Sequence, residues 1–135
     1  MAVCVAVTCV AGEVHPPVRA YLRERYEADS VDLVTEPGAV HTLARRLVPQ
    51  RVNFILDRID FCLEHHPVVA LAVVAHHGCP GNPVPDDRQV SMLAQAVRLL
   101  RREYMNMDIL GLWVDTDGVV HDATTPGDVD DGLLR

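Results

Sequence analysis

The sequence contains no lysine, few aromatic residues and no long apolar run. Its 12 basic residues are all arginines and stand against 19 acidic residues, so that the formal net charge is −7. Because nucleic-acid binding requires clustered Lys or Arg to neutralise phosphates, this charge balance argues against a nucleic-acid surface. One Trp, three Tyr and two Phe also provide no platform on which bases could stack.

The apolar runs are all well short of the roughly 20 residues that span a membrane, and the N-terminus lacks the basic segment of a signal peptide. The four cysteines follow no regular framework, which favours thiols that serve as ligands or core residues in a reducing compartment. We therefore expect a cytoplasmic protein without a membrane partner. Its 135 residues suit one domain with one core.

Two charged segments lie in the last third of the chain. Arg98, Arg101 and Arg102 form the one basic cluster, near the end of a predicted helix, where cations interact favourably with the helix dipole. Residues 124–135 are acidic and rich in Gly and Asp. We expect them to form a tail, mobile or docked on a second subunit, that follows a domain spanning residues 1–123.

Apolar segments of strand length alternate with segments of helical periodicity. This alternation indicates right-handed βαβ crossovers, and therefore an α/β fold: a single domain with a mainly parallel central sheet of four to five strands and helices on both faces. Strands are expected at Val3–Val10, Ser30–Thr35, Val68–Ala75, Ile109–Val114 and Val119–His121. Helices are expected from His15 to about Asp29, from Thr42 to Leu47, from Pro49 to His65, and from Asp86 to about Tyr104.

Two helix starts carry capping signals. Thr42 is of a residue type that caps helix N-termini, and Asp86 with Gln89 three residues later forms a capping-box pattern. Along the last helix, the apolar spacing predicts that Val90 and Val97 lie on the buried face.

The central strand, Val68–Ala75, stops abruptly at His76, His77, Gly78 and Cys79. Its continuous apolar character predicts a strand buried on both faces, and ligands of open α/β sheets bind just beyond the carboxyl ends of such strands. An imidazole and a thiolate on one tight turn can face the same point. This pair suits a tetrahedral zinc site.

A third metal donor is predicted near the N-terminus. Cys9 ends the first apolar strand, and if this strand is parallel to and beside the central one, Cys9 emerges at the same edge of the sheet as His76 and Cys79. The resulting Cys/His/Cys set leaves the fourth position open, as in a catalytic zinc site. His77 is the nearest spare ligand or proton shuttle, although an adjacent histidine more often points away. His15 and His41 follow neighbouring loops and could line the pocket, although solvent exposure is the default for both.

Three motifs carry a resemblance to a known family: His76–Pro83 (HHGCPGNP), Glu36–Ala39 (EPGA) and Gly111–Asp115 (GLWVD). In their order and spacing, over residues 2–115, the chain resembles the β-class carbonic anhydrases and, more closely, their short bacterial relatives described as putative carbonic anhydrases. The resemblance implies the fold of that class, Zn²⁺ held by Cys9, His76 and Cys79, carbon dioxide or bicarbonate as substrate, and at least a homodimer.

The chain departs from that family at one motif. There the first cysteine is followed by Asp and Arg in the pattern Cys-x-Asp-x-Arg, and the aspartate accepts a hydrogen bond from the zinc-bound water or ligates the zinc. Here Ala11 and Glu13 occupy these two positions. Glu13 is therefore our candidate catalytic residue, either as a fourth zinc ligand or as a displaced proton acceptor.

Three hypotheses remain open at this point. The first is a zinc lyase whose zinc-bound hydroxide attacks carbon dioxide or a similar small electrophile. The second is a catalytically degenerate member that lacks the Asp/Arg pair and serves as a binding, regulatory or assembly subunit. A redox protein that uses Cys9 and Cys79 is weaker, because the chain has no Cys-x-x-Cys pair.

Overall fold

The computed structural model describes residues 1–124. Of the predicted acidic tail, residues 125–135 therefore lie outside the described residues. Among residues 1–124, no helix is both long enough and apolar enough to cross a membrane.

A five-stranded sheet forms the centre of the molecule, in the order β2-β1-β3-β4-β5. Its first four strands are parallel, and the short last strand pairs antiparallel with its neighbour. This arrangement confirms the predicted α/β fold with a mainly parallel sheet. The strands are β1 (Val3–Thr8), β2 (Ser30–Thr35), β3 (Val68–His76), β4 (Asp108–Val114) and β5 (Val120–Asp122).

Helices cover both faces of the sheet, as predicted. One face packs against α1, through Val18 and Leu22. The other face packs against three helices, through side chains such as Leu43, Ile55 and Leu93. The helices are α1 (His15–Tyr26), α2 (Ala39–Arg45), α3 (Pro49–His65) and α4 (Asp86–Glu103), and a 3₁₀ turn at Gly12–Val14 precedes the first.

The strand order places β1 and β3 side by side at the centre of the sheet. The crossover that follows β1 runs along one face towards β2, whereas the crossover that follows β3 runs along the opposite face towards β4. The loops that leave the carboxyl ends of β1 and β3 therefore diverge, and such a divergence opens the crevice in which α/β proteins bind ligands.

Both predicted helix caps are wrong. The second helix begins at Ala39, directly after Gly38 in the left-handed conformation (φ +59°), so Thr42 lies buried inside it. Asp86 is the first residue of α4 rather than its cap, and its carboxylate accepts a hydrogen bond from His77 instead. Gln89, the other half of the predicted capping box, is buried against Asn82. These side chains hold the preceding loop instead of capping the helix.

Smaller boundary and burial predictions also need correction. The first strand ends at Thr8 instead of Val10, and Val10 is exposed, because the chain turns at Cys9 into the loop. The central strand continues to His76 because His76 still pairs with Val114 of β4. Val90 is 37% exposed, since the buried face of α4 runs through neighbouring positions such as Leu93 and Val97.

Candidate metal centre

The structure brings Cys9, His76 and Cys79 together at the carboxyl edge of the sheet. Their potential ligand atoms all lie within 4.8 Å of one another, and the two sulfur atoms are 3.7 Å apart. All three residues are buried, with exposed fractions of 3%, 6% and 4%. A buried group of two sulfurs and one imidazole nitrogen could hold a metal ion.

The loop after β1 is fixed by a histidine side chain. The Nε2 atom of His15, in the first turn of α1, lies 2.8 Å from the Cys9 carbonyl oxygen and donates to it. The amide of Val14 closes the intervening 3₁₀ turn by donating to the Ala11 carbonyl. His15 is therefore partly buried and positions Cys9, a role that the sequence did not reveal.

The loop after β3 turns sharply so that Cys79 points back towards Cys9. Gly78 adopts a left-handed conformation (φ +68°), which glycine reaches without steric cost. The Asn82 amide donates to the Cys79 carbonyl at 3.1 Å. Gln89 of α4 then anchors the loop, because its Nε2 donates to the Asn82 carbonyl at 2.6 Å in a buried position.

The Glu36–Ala39 loop, which follows β2, supports this turn from the side. Gly38 packs against Gly81 so closely that a Cβ on Gly38 would lie 2.3 Å from the Gly81 carbonyl oxygen. Glu36 is nearly buried, and its carboxylate pairs with Arg51 of α3 at 2.5 Å. Two of the three resemblance motifs therefore meet backbone to backbone beside the candidate site.

His76 presents an unpartnered nitrogen to the site. Its Nδ1 lies 3.1 Å from the His77 carbonyl oxygen and donates to it, which leaves Nε2 as the acceptor in the neutral ring. Nε2 is buried and has no hydrogen-bond partner. Burial lowers the pKa of His76, although the bond to His77 and the charge of Glu13 act in the opposite direction. The neutral imidazole with a free Nε2 lone pair is the form that binds metals.

Burial and the neighbouring Cys9 raise the pKa of the Cys79 thiol, while the backbone amides of Gly81 and Asn82 lower it. Without a positive charge nearby, the thiol form is therefore favoured. A metal ion would reverse this preference, because thiolates are the ligating form and metal binding releases their protons.

The geometry fits tetrahedral zinc. Two thiolates at the usual Zn–S distance of about 2.3 Å around a tetrahedral ion lie about 3.8 Å apart, and the two sulfurs here are 3.7 Å apart. The two sulfurs therefore already have the separation that such an ion requires, and the buried Nε2 of His76 has no other hydrogen-bond partner.

A cavity of about 320 Å³ opens beside His76. Glu13 and His77 line it, as do Asp115, Asp117 and other residues of the β4–β5 turn. Glu13 is exposed at this position. Three carboxylates thus border the cavity, and only one of them, that of Glu13, was predicted from the sequence. Asp115, the last residue of the motif at the end of β4, was the available signal for that side of the cavity.

The remaining predicted candidates lie outside the three-donor group. His77 is exposed and pairs with Asp86 at 2.8 Å, whereas His41 lines a separate cavity of about 100 Å³ with Arg51 and others. Cys4 is buried in the core between the sheet and α1, and Cys62 packs against the core on the opposite face of the sheet, as expected of core residues. Asp115 is held by His121 and by backbone amides of its own turn, which lowers its pKa.

Comparison with known proteins agrees with this geometry. A family model described as "Putative carbonic anhydrase" matches residues 1–124. No curated protein matches the chain.

Proposed function

Since the chain belongs to the putative carbonic anhydrase family, we propose that it is a zinc-binding protein of carbonic-anhydrase type that hydrates carbon dioxide or a similar small electrophile. Cys9, His76 and Cys79 are the proposed zinc ligands. The observation that carries the proposal is their convergence at the carboxyl edge of β1 and β3, with the unpartnered Nε2 of His76 and a cavity alongside.

Zinc with an open coordination position lowers the pKa of a bound water molecule to about 7 and so supplies a nucleophile at neutral pH. The chain's own residues support such a role in two ways. The bond from His76 Nδ1 to the His77 carbonyl fixes the tautomer and the ring orientation. The amides of Gly81 and Asn82 favour the thiolate form of Cys79.

Glu13 is the proposed proton acceptor. It lines the cavity beside His76, and its charge raises the pKa of that imidazole, opposing the effect of burial. Its exposure to solvent would let a proton pass to bulk water. A carboxylate within reach of the reacting water, directly or through one further water, is the usual requirement for a general base.

The charge of the cavity favours a neutral substrate. Glu13, Asp115 and Asp117 line it together, and no arginine lines it within the part of the chain that the structure describes. Carboxylates on several sides repel anions, so we expect carbon dioxide to enter more readily than bicarbonate. Inhibition by bicarbonate or other small anions should accordingly be weak.

A second candidate function follows from the replaced pair. Ala11 cannot accept a hydrogen bond, and Glu13 has the opposite charge to the arginine of the family pattern. A chain that holds zinc without orienting a water molecule would be a catalytically degenerate member, serving as a binding, regulatory or assembly subunit.

We further propose that the protein acts in the cytoplasm and as at least a homodimer. All four cysteines are free, which supports a reducing compartment. Large apolar side chains such as Phe54 and Phe61 are exposed on α3, which supports association with a second chain. Size-exclusion chromatography with light scattering tests the dimer directly.

The deciding experiment measures stopped-flow hydration of carbon dioxide on protein whose zinc content is assayed in the same sample. The native chain is compared with the double variant Ala11→Asp, Glu13→Arg and with Glu13→Gln. Turnover by the native protein with about one zinc per chain, reduced in Glu13→Gln, supports the first function. Zinc without turnover, followed by a gain of activity in the double variant, supports the second. A native protein without zinc contradicts the first function and the zinc assignment.

A further inference from the structure

A second cavity lies between the C-terminal end of α2 and the second half of α4. Its volume is about 370 Å³, and it shares no lining residue with the cavity beside His76. The lining residues are mostly arginines: Ala44, Arg45, Arg46, Gln95, Arg98 and Arg102. Four of the chain's 12 basic residues therefore border one cavity in a protein of net charge −7.

Two separate elements bring these arginines together. Arg46 ends α2 in a left-handed conformation (φ +51°), directly after Arg45, the last residue of that helix. Arg98 and Arg102 are four residues apart on α4 and hence on the same face of it. The two helices belong to one core cluster, through side chains such as Leu43 and Val97. Helix dipoles favour arginine at each helix end, but they do not require both ends to face the same cavity.

Among residues 1–124, no acidic residue lines this cavity. Within residues 1–124, the side chains of Arg45, Arg46 and Arg102 form no ion pair. Like charges held side by side repel one another. A cluster of guanidinium groups around a cavity is stabilised when an anion lies between them.

We propose that this cavity binds a small oxyanion with two or more negative charges, such as a phosphate ester or a polyphosphate. Guanidinium groups donate two parallel hydrogen bonds to phosphate or carboxylate oxygens, which makes arginine the preferred residue for such anions. A cavity of about 370 Å³ is of the size that holds small molecules. The described lining residues include no aromatic ring, so recognition is of the charged group and not of a nucleobase.

The anionic group that binds these arginines could come from two sources. One is a free anion. The other is the chain's own acidic segment, which includes Asp128, Asp130 and Asp131. A test must therefore include a full-length variant in which these three carboxylates are neutralised.

Calorimetric titration with inorganic pyrophosphate tests the proposal. Four full-length proteins are compared: the native chain, Arg45→Gln with Arg102→Gln, the charge-matched control Arg23→Gln with Arg88→Gln, and Asp128→Asn with Asp130→Asn and Asp131→Asn. Loss of two charged hydrogen bonds should weaken pyrophosphate binding about 100-fold in the first variant. The control should bind like the native chain, and it shares the same metal centre, so any zinc chelation by pyrophosphate appears equally in both.

The outcomes distinguish the two sources of the anion and also test the proposal itself. Equal affinity in the native and triple-Asn chains identifies a free anion as the ligand, whereas clearly tighter binding by the triple-Asn chain identifies the acidic segment as a competitor for the same arginines. The proposal is overturned if neither chain binds pyrophosphate at millimolar concentration, or if both arginine double variants lose affinity equally. Circular dichroism confirms that the variants remain folded; the four substituted arginines, Arg23, Arg45, Arg88 and Arg102, are all exposed.

Discussion

The contact between Gly38 and Gly81 predicts a specific pattern of stability changes. A Cβ on Gly38 would lie 2.3 Å from the Gly81 carbonyl oxygen, and ordinary contacts begin near 3.4 Å. The two loops would therefore have to separate by roughly 1 Å, in a region packed like a protein core. Gly38 also has φ +59°, a conformation that residues other than glycine adopt only with strain.

Three substitutions separate the two costs. Gly118→Ala introduces a left-handed residue (φ +78°) with nothing within 4 Å, and should cost about 1 kcal/mol of unfolding free energy. Gly81→Ala introduces the clash without a positive φ, because its Cβ would lie 2.5 Å from the Gly38 nitrogen, and should cost about 1–3 kcal/mol. Gly38→Ala combines both and should cost about 2–5 kcal/mol.

Urea unfolding at pH 7, followed by circular dichroism and by the fluorescence of the single Trp113, measures these differences. It should be run on metal-free protein and again with excess zinc. Because the Gly81 amide favours the Cys79 thiolate, Gly81→Ala should also reduce the additional stability that zinc confers. If Gly38→Ala costs no more than Gly118→Ala, the two loops do not pack backbone to backbone and this account of the site is wrong.

The remaining predictions concern the ligands and the buried carboxylate. Cys79→Ser should abolish zinc binding in a zinc assay, whereas Cys62→Ser, outside the donor group, should retain it; equal zinc in both would refute the ligand assignment. Zinc affinity, measured by chelator competition, should fall as pH is lowered, by up to about 100-fold per pH unit if two thiols release protons, because burial raises the pKa of Cys79. An affinity independent of pH would show that thiolates are not the ligands. Arg51→Leu should cost about 1–3 kcal/mol in urea unfolding, because it leaves the nearly buried Glu36 carboxylate without its partner; an unchanged midpoint would show that water replaces the arginine.

The sequence predicted well those features that depend on local pattern or on strand ends. The run Ser30–Thr35 is a strand with the predicted bounds, and α3 covers the predicted range Pro49–His65. Cys9 and Cys79, 70 positions apart, come together because parallel neighbouring strands must deliver their carboxyl ends to one edge. That rule needs only the strand positions and their order.

The sequence did not predict contacts that form only after the loops fold. Asp86 and Gln89 carry the residue types of a capping box, yet tertiary partners took both side chains. The bond from His15 to the Cys9 carbonyl has no local pattern that could signal it. The arginine-lined cavity likewise combines the ends of two helices separated by some 50 residues, so the cluster seen in sequence near Arg98 showed only half of it.

These contacts bear on what the loss of the Asp/Arg pair means. The loop after Cys9 is held by His15 and by the 3₁₀ turn at Gly12–Val14, neither of which involves an aspartate or arginine at positions 11 and 13. The donor geometry therefore does not depend on the missing pair. In the family pattern, the aspartate of the pair accepts a hydrogen bond from the zinc-bound water. Ala11 occupies its position here, and Glu13 is the carboxylate nearest to it in sequence. The proposed metal binding and the proposed turnover thus depend on different residues, so we expect a substitution at Glu13 to change the reaction rate while leaving the zinc content as it is.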